Sequence, residues 1–134
     1  MLIEFYGKNY GCFRDEFRLS MLATDIDPKS DRGIVEVKVE GDPEPLRLLR
    51  AAAIYGPNAS GKSTVLRAAG ALSRLLSVTQ SYSSDRPLTV YEPFAFGSKA
   101  AGTPVTLGAR AVIDHAVYDY LVSFDRTAIH HEKL

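Results

Sequence analysis

What the chain lacks narrows it first. One cysteine, Cys12, stands alone among 134 residues, so no disulfide can form within the chain and a reducing compartment fits. No run of about 18 apolar residues occurs, so no membrane-spanning helix is expected. The opening Met1 to Tyr6 has neither the basic start nor the long apolar stretch of a secretion signal, and a cytoplasmic location is the expectation. Charge of either sign is not in excess: 16 Lys and Arg balance 16 Asp and Glu. No global basic field draws the chain to nucleic acid, which leaves only local patches as candidates. Repeats and low-complexity tracts are absent. Convincing helical periodicity is scarce and occurs in one place.

What is present is ordinary for a folded domain. The chain is 46% hydrophobic and 24% charged, so disorder is not expected overall and one domain spanning 1–134 can bury a core. Within it, residues 56 to 64 read Gly-Pro-Asn-Ala-Ser-Gly-Lys-Ser-Thr, the spacing G-x-x-x-x-G-K-[ST] of a Walker A phosphate-binding loop. The pattern has a mechanism. Gly56 and Gly61 let backbone N–H groups turn inward, while the amides of Asn58, Ala59 and Ser60 line the cradle. Lys62 reaches the β- and γ-phosphates, and the Ser63 hydroxyl ligates Mg²⁺. Pro57 stiffens the turn. Thr64 has two readings, a contact to the α-phosphate or a hydrogen bond within the first helical turn. The expected ligands are therefore ATP and Mg²⁺.

Context supports the motif. Leu46 to Tyr55 ends in an apolar run suited to a buried parallel strand. Lys62 to Leu76 carries Val65, Leu66, Ala69, Leu72, Leu75 and Leu76 at helical spacing, with Arg67 and Arg74 off that face. A phosphate at this point would meet the positive end of the helix. Elsewhere the chain reads as strands. Leu2 to Tyr6 and Phe13 to Leu22 form a hairpin about a turn holding Gly7, Asn9 and Gly11. Gly33 to Glu40 alternates as a half-exposed strand. Val105 to Ile113, Val117 to Phe124 and a piece near Ile129 read as three antiparallel strands, joined at Asp114-His115 and Asp125-Arg126. Polar stretches at Thr24 to Gly33, Thr79 to Pro87 and Gly97 to Pro104 read as loops or linkers. A doubly wound kinase should alternate strand and helix several times, so the strand content here is unusual for a P-loop protein.

Met1 to Ser20, with Asn9, Tyr10 and Phe13 in its turn, resembles the opening of ABC-type ATPase heads of the SMC, RecF and OLD kind. The loop from Tyr55 to Thr64 matches their narrower G-x-N-x-S-G-K-S form. The likeness is to bacterial AAA-type ATP-binding proteins of that class, several of which serve in phage defence. Tyr91 to Phe94 is similar to their "hEPF" segment, and Val105 to Leu134 to their β-meander. The resemblance implies an α/β fold: the N-terminal lobe of an ABC-type head, with a strong antiparallel component and one P-loop helix. It also implies ATP hydrolysis and dimerisation driven by nucleotide. In the family a basic residue and a serine often stand where this chain has Gly11 and Cys12, which puts a side-chain contact from the first turn in question.

Hydrolysis also needs an acidic Mg²⁺ ligand and a group to position water. The family supplies these as a Walker B Asp and the Glu after it, with a Leu-Ser-Gly-Gly signature loop from the partner subunit. The chain has no such loop, and its nearest Walker B mimic is Ala111 to Asp114, followed by His115. Because Asp favours turns and strands flank it, Asp114 is read as a hairpin turn. The catalytic residues stay unassigned, and a homodimer partner or a further C-terminal lobe is expected to complete the site. The alternatives are a non-hydrolytic assembly module and a compact P-loop kinase using Asp114. Lesser candidates have plainer readings. His130-His131 is a solvated strand end, since adjacent side chains point to opposite faces. Tyr6, Tyr10 and Phe13 are core aromatics rather than an adenine stack. Lys8, Arg14 and Arg18 form only a diffuse basic set.

Overall fold

The computed structural model describes residues 1–24, 32–78, 87–96 and 102–134. The three expected loop segments fall mostly outside them. The elements in order are β1 (Leu2–Lys8), β2 (Phe17–Ser20), β3 (Ile34–Val37), β4 (Leu46–Leu49), α1 (Lys62–Val78), β5 (Val105–Ile113), β6 (Ala116–Phe124) and β7 (Ile129–Lys133). Among the described residues the fold is mixed α/β, mostly antiparallel, with one helix. Five strands form a sheet in the order β2-β1-β5-β6-β7, and β3-β4 make a separate ribbon. Every described strand pairing is antiparallel.

Register puts one face of the sheet inside. Val105 pairs with Phe124, Leu107 with Val122 and Ala109 with Tyr120. Side chains two apart on a strand share a face, so these residues form one apolar surface. Val105, Leu107, Val122 and Phe124 are fully buried on it. Helix α1 covers that surface with Ala68, Ala71, Leu72 and Leu75, joined by Phe5, Tyr10, Leu88 and Val90. A smaller cluster of Ile3, Leu48 and Val112 ties the ribbon to the sheet. Backbone bonds from Met21 to Ile3 and from Leu49 to Met21 reinforce it.

The hairpin turns are as the sequence implies. Asp114 and His115 both have positive φ, 48° and 67°, and join the paired residues Ile113 and Ala116. A two-residue turn of this hand matches the twist of the strands it joins. Several boundaries move. Gly7 lies in β1 rather than in the turn. Its neighbour β2 is shorter than Phe13 to Leu22, because Tyr10 and Phe13 exchange backbone bonds and close a tight loop before it.

Two expectations are overturned. The segment from Leu46 to Tyr55 is not a buried parallel strand: only Leu46–Leu49 is strand, paired antiparallel to β3, and Ala51 to Tyr55 are exposed throughout. A buried parallel strand needs neighbours on both edges, and the described residues place none beside 51–55. The buried face of α1 is also rotated from the expected one. Thr64, Ala68, Ala71, Leu72 and Leu75 are buried, while Leu66 and Leu76 are 67% and 52% exposed. The helix is apolar on two sides. Its alanine side lets it sit close to the sheet, and Leu66, Ala69 and Leu76 are left lining an open apolar groove with Leu2, Phe5 and Leu19.

Candidate nucleotide-phosphate site

The loop from Gly56 to Ser60 is exposed and ends where α1 begins. The Gly61 carbonyl accepts from the amides of Thr64 and Val65 at 2.9 and 3.1 Å. Gly61 is therefore the N-cap, but a cap with no side chain to satisfy the amides of the first turn. Those of Lys62 and Ser63 have no acceptor one turn back. The first turn also contains no acidic residue, so the positive end of the helix is left unneutralised. Around this end lies a cavity of about 150 Å³, lined by Cys12, Ala59 to Thr64 and Arg67. That is room for phosphate groups rather than for a whole nucleotide, since pockets enclosing drug-sized ligands run to roughly 300–1,000 Å³.

Two backbone positions shape the loop. Ala59 takes φ 63° and Gly61 φ 93°. At Gly61 a β-carbon would also lie 2.7 Å from the Phe13 ring and 2.9 Å from Cys12 Sγ. The first turn of the chain thus packs directly on the phosphate loop, and only glycine fits between them. Lys62 Nζ donates to the carbonyls of Gly56 and Pro57, at 2.9 and 2.6 Å, so the lysine is folded across its own loop. Ser63 is exposed at the cavity's rim, and among the described residues its hydroxyl has no partner and can face a cation bound to phosphate. The described residues contain no cluster of three His, Cys, Asp or Glu suited to a metal. A Mg²⁺ held by Ser63 and substrate phosphates is compatible with that donor set, because Mg²⁺ commonly takes only one or two protein ligands.

The first turn is fixed from the other side as well. Gly11 N donates to Glu92 O at 2.8 Å, and Gly11 O accepts from Ala95 N at 2.9 Å. A β-carbon at Gly11 would stand 2.5 Å from Thr64 Cγ2, and φ there is +57°. This explains why a basic side chain has no place at that position. The Gly11 amide is already committed to Glu92, which leaves Cys12 as the first-turn residue at the cavity. The Asn9 side chain donates to the carbonyls of Thr103 and Pro104 and accepts from Phe94 N.

The structure also brings in two residues that the sequence did not single out. Arg67 Nη2 donates to Glu92 Oε1 at 2.9 Å and to Thr64 Oγ1 at 3.3 Å. The Glu92 carboxylate in turn neighbours Tyr10, whose hydroxyl pKa is pushed up to about 12, chiefly by burial and then by the charge of that carboxylate. Spacing offered one clue: Arg67 falls one turn after Thr64, where helical neighbours meet.

The other polar candidates fall where their plainer readings place them. Asp114 does not line the cavity, and its neighbour His115 is bonded to Lys38 O and, through its own carbonyl, to Glu40 N. His130 pairs with Asp125 at 2.8 Å, and His131 is a separate exposed side chain. Of the three aromatics only Tyr10 is in the core: Phe13 is half-buried, resting on Phe17 with ring centroids 4.6 Å apart and lying against Gly61, and Tyr6 is half-buried and donates to Asp119. Arg18 is paired with Glu4 and Glu16, so the basic set does not form a patch.

Comparison with known proteins agrees with this geometry. A family described as "AAA domain, putative AbiEii toxin, Type IV TA system" matches residues 51–134, which include the whole phosphate loop, the helix and the meander. No curated protein and no solved structure matches the chain. No described helix is long and apolar enough to cross a membrane. The family match takes in well over half of the chain and centres on P-loop nucleotide binding: the chain belongs to this family of AAA domains.

Proposed function

We propose that the chain binds ATP with Mg²⁺ through residues 56–64, as the nucleotide-binding lobe of an ATPase of the ABC type. The observation that carries this reading is the start of α1. A glycine cap leaves two amides open, Lys62 stands beside them, and the first turn of the chain braces the loop from outside. In this reading Gly56 to Ser60 wrap the phosphates with backbone N–H groups. Lys62 leaves its two carbonyl acceptors for the more strongly charged β- and γ-phosphates. Ser63 faces the cation, and Thr64 faces the α-phosphate. Bound Mg²⁺ would neutralise the charge that develops on the γ-phosphate.

Among the described residues the cavity lining contains no carboxylate. We therefore assign hydrolysis to an assembled site that a second copy or a further lobe completes, with binding driving closure and hydrolysis driving opening. The same observation favours a second reading, a module that uses nucleotide only to control assembly. The biological setting we propose is phage defence or a DNA transaction, following the resemblance of the loop and the first turn.

The experiment is a titration of the 134-residue chain with a fluorescent ATP analogue and Mg²⁺, with phosphate release followed in parallel. Wild type should bind and release little or no phosphate. Lys62→Ala should weaken binding by about 30-fold or more, because removing a charged hydrogen-bond partner costs about 2–5 kcal/mol, while thermal unfolding without nucleotide stays unchanged. Equal affinity in the two proteins would reject the site. Turnover near 1 s⁻¹, at the low end for enzymes, lost in Lys62→Ala, would reject the need for further groups.

A further inference from the structure

We infer that Arg67 and Glu92 are positioning residues of the phosphate site, acting through the hydroxyl of Thr64. The inference rests on the nucleotide reading above. Thr64 is 6% exposed yet lines the phosphate cavity. A threonine hydroxyl has one hydrogen to donate and lone pairs to accept with. In a helix its hydrogen commonly goes to a carbonyl three or four residues back. Here the oxygen instead accepts from Arg67 Nη2 at 3.3 Å, and among the described residues the hydroxyl hydrogen has no acceptor within the protein. An N–H pointed at the oxygen turns the O–H away from Arg67, so the one nearly buried hydroxyl in the cavity wall is left as a donor. A phosphate oxygen is an acceptor only.

Glu92 makes this arrangement hold. The same Arg67 nitrogen carries two hydrogens: one goes to Thr64 and the other to Glu92 Oε1 at 2.9 Å. The carboxylate does not drift, because the Glu92 carbonyl accepts from Gly11 N and so fixes the backbone that carries it. The first turn, residue 92 and the start of α1 thereby form one rigid bracket around the threonine. The pair is not a stability device. The side chains are 56% and 43% exposed, and ion pairs so exposed contribute little to folding.

The test is a double-variant cycle on the full 134-residue chain, reading the affinity for Mg²⁺-ATP and, separately, thermal unfolding without nucleotide. Arg67→Met should weaken ATP binding about tenfold, the scale of one hydrogen bond to a charged group. In a Thr64→Val background the same change should weaken it less than about twofold, since coupled residues are not additive. Glu92→Gln should give a smaller loss. Arg67→Lys, which keeps a donor for Thr64, should stay within about threefold of wild type; this comparison stands even if Thr64→Val fails to fold. Unfolding temperatures of the Arg67 variants should match wild type. Equal losses in both backgrounds would overturn the inference, as would Arg67→Lys behaving like Arg67→Met, or a loss of affinity that merely tracks lost stability. If wild type itself does not bind ATP, the nucleotide reading fails and this inference fails with it. If wild type binds and the cycle is additive, only the inference fails.

Discussion

Val105, Leu107, Val122 and Phe124 are wholly buried, whereas Ala51 to Tyr55, also without a charged residue, are exposed along their whole length, Tyr55 at 90%. The two stretches differ in where their partners lie. In the β5–β6 hairpin each strand finds its neighbour two residues away, across the Asp114-His115 turn, and pairing is complete from Val105 to Ile113. A parallel strand has no such option, since its neighbours must arrive through crossovers of a dozen residues or more. The β5–β6–β7 meander therefore closes by local means, while the approach to the phosphate loop is left open. Stability and ligand binding are separated as a result: the core holds the helix in place, and the loop at the helix's end carries the chemistry.

The largest expected effect tests the core side of that separation. Phe124→Ala removes a fully buried ring that faces Val105 across the hairpin and meets Tyr91 edge-on at 6.4 Å. Truncating a buried phenylalanine costs about 3–5 kcal/mol, read as a lower urea midpoint. The fraction still folded should bind nucleotide as wild type does. A weaker affinity in that fraction would break the comparison, by showing that the core shapes the loop as well as supporting it.

The intermediate effect sits on the loop. Ala59 has φ 63°, a left-handed conformation that a β-carbon makes costly. Ala59→Val adds branching there and should raise the cost of holding the cradle by about 1–2 kcal/mol. The loop is exposed, so it can relax without unfolding the domain. The cost then falls on the binding-competent state: affinity should drop roughly tenfold while the unfolding temperature stays put. Ala59→Gly should bind at least as well as wild type. If Ala59→Val lowered the unfolding temperature instead, loop and core would not be independent.

How far this division could be read beforehand depended on distance along the chain. The meander was legible because alternation and turn residues are local, and Asp114-His115 took the positive φ that a two-residue turn requires. The phosphate loop was legible because its chemistry sits within nine consecutive residues. Ala51 to Tyr55 misled because an apolar run specifies burial but not the neighbours that provide it. On α1, Leu66 and Leu76 looked like core because an apolar residue on either side of a two-faced helix looks the same in sequence. The Arg67–Glu92 contact spans 25 residues. No local pattern announces it, and only the packing of residues 91–95 on the first turn brings the pair together.

The smallest effect belongs to the far end of the sheet, in the turn between β6 and β7. Asp125 Oδ1 accepts from Thr127 N, Thr127 Oγ1 and Ala128 N at 2.6, 2.7 and 2.9 Å, and Oδ2 meets His130 at 2.8 Å. These bonds, the Thr127 amide foremost, hold the carboxyl well below the usual carboxylate range. A depressed folded-state value stabilises the protein above the unfolded value of about 3.9. That contribution is lost as pH falls through the folded-state value. Asp125→Asn keeps an acceptor but removes the charge. Its urea midpoint should lie slightly below wild type near pH 5, and the gap should close as the pH is lowered toward 2. Because this turn does not line the phosphate cavity, ATP affinity at pH 7 should not change. A gap that persisted unchanged to pH 2 would mean that shape rather than charge fixes the turn. A change in affinity would mean that the sheet's distant edge communicates with the loop, and the separation of core from site would no longer hold.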